Sequence, residues 1–188
     1  CMSDNGGHPD YTTNAPLRGS KWNLYEGGIR VPFIVRWPDH SPAGSICDTP
    51  VHGCDLFPTF VELAGAKANN VDGLSLAPLL LDPVHPLPDR PLLWHFPYYH
   101  PEKGFNKAPP KIGVGDFYTS QTRPHSALRV GQHKLLHFDE DNRDELYDLE
   151  ADPGETANLS TSQPELTAQL RERLLSMLKT SGARFAAP

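Results

Sequence analysis

Two residues constrain the C-terminal half of this chain more than any others. In "ALRVGQHKLLHF", Gly131 and Gln132 separate two arms of β-favouring residues. A two-residue connection with glycine at its first position is the mark of a type II′ hairpin, whose twist matches that of antiparallel strands. "LLWHF" upstream and "ELYDL" downstream read as further strands, and the Asp152-Pro153-Gly154 that follows is turn chemistry. The expectation is a small antiparallel sheet, which needs a cover for its apolar face. The last helix supplies one: Leu166, Leu170, Leu174, Met177 and Leu178 form a stripe. Ser162 and Glu165 read as its capping box, Pro164 lies in its first turn and Gly182 ends it.

The N-terminal half is less regular. Residues 1–28 are rich in Gly, Asn, Asp and Pro and read as a loop. "IRVPFIVRW" then has the content of a mostly buried strand, with Pro32 at a bulge or strand start. "DLFPTFVELAG" predicts a helix capped by Asp55 and stopped at Gly65, with Leu56, Phe60, Leu63 and Ala64 on the face that meets the strand's sheet. Residues 66–91 form a proline-rich connection. The implied organisation is 1–80 as one part and 81–188 as a second, α+β part with the small sheet and packed helix.

Composition excludes several function classes. The net charge is −6 and the 17 lysines and arginines are scattered, so the field does not favour nucleic acid or an anionic membrane. No apolar run approaches the roughly 18 residues of a bilayer span, and "CMSDNGGHPD" lacks the regions of a signal peptide. Cys1, Cys47 and Cys54 form an odd set without a CxxC pair, which argues against a zinc knuckle or a disulfide scaffold and leaves a Cys47–Cys54 bridge open.

Three stretches carry candidate chemistry. "SDNGGH" offers the side-chain oxygens of Asp4 and Asn5 from a tight loop, suited to a hard cation such as Ca²⁺ or Mg²⁺ but equally to a plain turn. Two oxygens are too few for Ca²⁺, which takes about 6 to 8 ligands. "DEDNRDELYDLE" is no EF-hand, because Asp144 occupies the position where the loop requires glycine; it reads as a solvated turn between strands. His95 and His100 in "WHFPYYH" sit among aromatics that could line a sugar pocket or simply end a core strand. Lys21, beside "YEGG", could contact a bound oxyanion at a charge-pair energy of roughly 4 kcal/mol at 4 Å and an effective dielectric of 20.

Taken together, "SDNGG", "PLRGSKWNLYEGGIRVPFIVRWP", "DLFPTFVELAG", "DGLSLAPLL", "LLWHFPYY", "ALRVGQHKLL" and "ELYDLEADPGETANL" stand in the order found in the C-terminal part of formylglycine-dependent sulfatases. The chain resembles the arylsulfatase or N-acetylgalactosamine-sulfatase-like branch of that family, in the alkaline-phosphatase superfamily, over nearly its whole length. The resemblance implies an alkaline-phosphatase-like α/β catalytic remnant followed by the α+β subdomain. It implies that Asp4 and Asn5 complete a Ca²⁺ site, that Lys21 contacts the substrate sulfate, and that His95 touches substrate. Glu26 and Arg30 are then an ion pair bracing the loop, whose turn Gly27 and Gly28 permit. Trp22 stands where some members have glycine, and Asp39 follows Trp37-Pro38 where glycine is frequent.

The family's nucleophile arises within C/S-x-P-S/A-R, and the three cysteines here are followed by "MSD", "DTP" and "DLF". The resemblance therefore implies that the formylglycine lies in an N-terminal portion of roughly 250 or more residues, and that this chain alone does not hydrolyse sulfate esters. The implied substrate is a sulfated carbohydrate or aryl sulfate, and the implied compartment is secreted, periplasmic or lysosomal; the sequon Asn158-Leu159-Ser160 does not settle it. Two other readings stay open: a phosphonate or phosphodiester hydrolase of the same superfamily, and a non-catalytic sulfated-glycan-binding module.

Overall fold

A computed structural model describes residues 1–8, 11–99 and 123–185. The chain forms two compact units. One comprises Cys1 and Ile34–Asp89, the other Met2–Phe33 with Arg90–Pro188. Residues 2–33 thus group with the C-terminal sheet and not with the segment that follows them.

In the second unit four strands form an antiparallel meander in the order β1-β2-β3-β4: β1 Leu92–Phe96, β2 His125–Val130, β3 His133–Phe138 and β4 Arg143–Asp148. The β2–β3 hairpin turns at Gly131 and Gln132, with φ +57° at Gly131 and Val130 paired to His133, as the two-residue loop requires. The acidic stretch after β3 is a turn into β4, in which Asn142 takes φ +53°.

The register sorts the side chains onto two faces. Leu128, Leu135 and Leu146 are directly opposite one another and pack against Leu170, Leu174 and Leu178 of α4, Pro164–Thr180. Burying a leucine contributes roughly 1.5–3 kcal/mol, so this layer of leucines is a substantial hydrophobic contact within the unit. Gln163, not Ser162, stands at the N-cap of α4, and no side chain caps it. The Ser162 hydroxyl instead donates to the Leu159 carbonyl at 3.1 Å. The helix ends as expected, with Gly182 at φ +67°.

The opposite face is covered by loop rather than helix. Ala127, Leu136, Phe138 and Tyr147 pack there with Leu24 and Tyr25. This loop contains one helical turn, α1 Glu26–Ile29, where irregular loop leading into a strand at Ile29 was expected.

The expected strand over "IRVPFIVRW" is reduced to a single bridge between Phe33 and Met2. Pro32 offers no N–H, and Ile34 and Val35 are exposed. In the first unit, α2 Leu56–Leu63 forms and stops at Gly65, φ +76°. Its expected inward face is turned outward, with Phe60 63% and Leu63 42% exposed, whereas Pro58 and Thr59 are buried. Asp55 does not cap α2 through its side chain. Its carboxylate accepts from the backbone N–H of His52 at 2.7 Å and of Leu74 at 2.9 Å, closing a loop that leads to α3, Ala77–Leu81. Cys47 and Cys54 are not bridged. No helix of the described residues is long and apolar enough to cross a membrane.

Candidate functional site

Three loop segments meet over the sheet. The Gly6 N–H donates to the Gly28 carbonyl at 2.8 Å, and the Lys21 N–H donates to the Gly7 carbonyl at 3.1 Å. Asn14 binds the crossing together: its Oδ1 accepts from the Gly7 N–H at 2.8 Å, while its Nδ2 donates to the Gly7 and Gly19 carbonyls. The stretch carrying Asp4 and Asn5 and the stretch carrying Lys21 are therefore one loop cluster. Asn14 gave no signal in the sequence beyond lying among turn formers.

Close approach explains the glycines. A Cβ on Gly6 would lie 1.8 Å from the Gly27 carbonyl oxygen, and one on Gly28 would lie 2.0 Å from that of Asn23. Gly27 and Gly28 are needed for this space; neither has a positive φ, so they do not serve a left-handed turn. The left-handed residue is Trp22, at φ +76°, a conformation that favours glycine.

Beneath the cluster, alternate polar residues of the sheet point at the loop and are buried by it. Lys134 is fully buried, and its Nζ donates to Glu26 Oε1 at 2.8 Å and pairs with Glu155 Oε1 at 2.9 Å. The first is an aligned hydrogen bond; the second is an ion pair without hydrogen-bond alignment. Glu155 Oε2 also accepts from the Glu26 N–H at 2.6 Å. The expected Glu26–Arg30 pair forms, at 3.8 Å with Arg30 55% exposed, a geometry that contributes little; the closer, buried partner of Glu26 is Lys134. Burial pushes the Glu155 carboxyl up to about 7 against the pull of Lys134, with the nearby Glu26 adding to the rise.

A second network holds the same loop. The hydroxyls of Tyr25 and Tyr147 both donate to Glu145 Oε2, at 2.6 and 2.8 Å. Arg143 pairs with the other oxygen of that carboxylate. Arg18 donates to the Tyr147 hydroxyl at 2.7 Å and to the Glu155 carbonyl at 3.0 Å, and its guanidinium lies 4.3 Å from the centre of the Tyr25 ring. Burial, then the Glu145 charge, hold both phenols well above their ordinary range. His125 accepts from the Leu24 N–H through Nε2 at 2.9 Å and contacts the Arg123 carbonyl through Nδ1 at 2.6 Å. Those partners fix the neutral Nδ1–H tautomer. Burial pushes its pKa down to about 4.

The candidate residues divide accordingly. Lys21 is partly buried, with Nζ 4.7 Å from the centre of the Trp22 ring. Asp4 is exposed and Asn5 half-buried. Their oxygens fit a hard cation in kind but not in number, and among the described residues no group of three His, Cys, Asp or Glu is placed to hold a metal ion. His95 pairs with Ser126, which puts it on the α4 face of the sheet, opposite the loop cluster. Both its ring nitrogens are engaged, with Ser126 Oγ at 2.8 Å and the Arg184 carbonyl at 2.8 Å. The structure does not bring it to Lys21. His100 lies outside the described residues.

This small sheet, its covering helix and the glycine-packed loop define the C-terminal part of a sulfatase. The chain belongs to the family described as N-sulphoglucosamine sulphohydrolase, C-terminal, whose model matches residues 20–180. It is 37% identical over 170 residues to a sulfatase of Formosa agariphila, covering 86% of this chain and 28% of that protein. It is 34% identical over 175 residues to human arylsulfatase A, covering 87% and 33%. The crystal structure of Ps i-CgsB in complex with k-i-k-neocarrahexaose superposes with a TM-score of 0.68 at 30% identity, over 92% of this chain and 35% of that one. The chain spans about a third of the length of the relatives it matches.

Proposed function

We propose that the polypeptide to which this chain belongs hydrolyses sulfate esters of sulfated carbohydrates, glycosaminoglycans included, and that this chain presents the sulfate-binding lysine and two metal ligands. The observation that carries the reading is the pair of backbone bonds, Gly6 to Gly28 and Lys21 to Gly7, that puts Asp4, Asn5 and Lys21 in one loop cluster. The carbohydrate assignment is supported by the family's description and by the neighbour crystallised with k-i-k-neocarrahexaose.

Lys21 offers a directional cationic donor to a sulfate oxygen. A differential contact of about 3 kcal/mol corresponds to roughly 10²-fold in rate, the contribution of a helper and not of a nucleophile. Asp4 and Asn5 would offer two of the oxygens around a Ca²⁺ or Mg²⁺ ion, the rest coming from elsewhere in the polypeptide. When bound, such an ion supplies positive charge to the sulfate oxygens. The loop packing and the Lys134 and Glu145 networks hold the backbone of the loop that carries Lys21 in place before substrate arrives. A substrate contact by His95 would require its ring to leave Ser126 or Arg184 and to act from the other face of the sheet; the reading does not depend on it.

The formylglycine nucleophile belongs to the N-terminal portion, and this chain alone is inactive. The compartment is secreted, periplasmic or lysosomal, as for the family. The test is sulfate release by the complete polypeptide from sulfated mono- and oligosaccharides, with a phosphodiester in parallel. Sulfate release with negligible phosphodiester cleavage is expected; preferential phosphodiester cleavage, or no hydrolysis of either, overturns the reading.

A further inference from the structure

We propose that Trp22 is a positioning residue for Lys21, its indole serving as the seat for the lysine ammonium beside the sulfate site; this rests on the reading of Lys21 given above. Trp22 has φ +76°, where a bulky side chain is strained. Three residues earlier the same turn meets a similar demand, φ +81°, with glycine. The backbone on either side dictates the conformation: Lys21 is bonded to the Gly7 carbonyl, and the Asn23 N–H to the Ser20 carbonyl at 3.2 Å. A residue without a side chain would satisfy that backbone. What tryptophan adds is its ring.

The ring has a defined use in the structure. Lys21 Nζ lies 4.7 Å from its centre, within the range of a cation–π contact. The His8 ring meets the indole in a T-shaped contact at 4.7 Å, and Tyr11 packs on His8 at 4.8 Å. The indole is therefore held from one side by His8 and faces the lysine with its π system. Lysine has four rotatable bonds and a point charge, so an otherwise unrestrained ammonium would sample many positions before meeting sulfate. Seating it reduces that search, at the expense of a strained backbone. A residue kept for stability alone shows the opposite balance, because replacing it lowers stability first.

The experiment uses the complete polypeptide with p-nitrophenyl sulfate. Trp22→Gly removes both ring and strain. Trp22→Leu removes the π face while keeping a bulky apolar side chain and the strained backbone. The expected result is that Trp22→Gly melts at or above the wild-type temperature yet loses roughly tenfold in kcat/KM, the scale of a cation–π contact. Trp22→Leu loses a similar factor, and neither substitution lowers activity further in a Lys21→Ala background. With selectively 13C-labelled lysine, the Lys21 ε-methylene resonance should be shifted upfield by the indole ring current and should return to the ordinary position in Trp22→Leu. The proposal is overturned if Trp22→Gly retains wild-type kcat/KM, if its loss carries over in full onto Lys21→Ala, or if the wild-type resonance is unshifted. Full activity of Lys21→Ala alone would refute the sulfate contact, and the resonance would still decide whether Trp22 seats the lysine.

Discussion

Replacing Glu155 by glutamine separates two buried groups whose titrations oppose each other. Glu155 has its pKa raised from 4.5 to about 7, so folding favours its protonated form. Its contribution is fully present below pH 4.5 and is lost as pH rises to about 7; 2.5 units at 1.36 kcal/mol each amounts to about 3 kcal/mol. His125 is lowered from 6.5 to about 4, so folding favours its neutral form. Its contribution is present above pH 6.5 and is lost as pH falls to about 4, again about 3 kcal/mol. Between pH 4.5 and 6.5 the two slopes have opposite sign and largely cancel. In Glu155→Gln the His125 slope stands alone, so stability relative to wild type should rise by about 3 kcal/mol between pH 4.5 and 7. The assay is urea denaturation of both proteins at half-unit pH steps, comparing the difference in ΔG and not its absolute value, since other carboxylates contribute equally to both. A difference that stays constant with pH would refute the assignment of Glu155 as the buried, proton-binding member of the Lys134 cluster.

Other outcomes follow from the same contacts. Lys134→Met leaves Glu26 and Glu155 facing each other without their cation and should cost about 3–5 kcal/mol, read by thermal or chemical denaturation; adding Glu155→Gln should recover part of it. Gly28→Ala places a Cβ 2.0 Å from the Asn23 carbonyl oxygen and 2.6 Å from that of Ser20, both backbone atoms, so it should destabilise by about 1–3 kcal/mol or more and accelerate hydrogen exchange across residues 18–28. Asp4→Ala in the complete polypeptide should weaken Ca²⁺ binding in a calorimetric titration with the melting temperature of the metal-free protein unchanged, since Asp4 is exposed.

The legible parts of the fold are those set by local chemistry. The hairpin at Gly131-Gln132, the strand at 92–96 and the leucine stripe of α4 could be read because turn geometry and residue period act within a few positions of the chain. The loop face of the sheet could not. Lys134, Glu145 and His125 alternate along their strands as residues of a solvent face do, yet they are buried at 0%, 7% and 1% exposure because the 18–30 loop folds over them. Their partners in that loop lie 101 to 120 residues away in sequence, beyond any periodic signal. The strand expected over 29–37 failed for a related reason: its apolar residues were read as core, but no neighbouring strand is present among the described residues to pair with them. The same holds for α2, whose apolar Phe60 and Leu63 face outward. Lys21, the proposed sulfate contact, was singled out by its motif. The elements that hold it, Asn14, Lys134 and Glu155, carry no local mark, because each acts through a contact made only when distant segments meet.

The role of Lys21 is tested most directly by steady-state hydrolysis of a sulfate ester by the complete polypeptide and its Lys21→Ala variant, with circular dichroism to confirm the fold. A loss of roughly 10²-fold in kcat/KM with an unchanged spectrum is the predicted result; unchanged turnover and affinity would contradict the account.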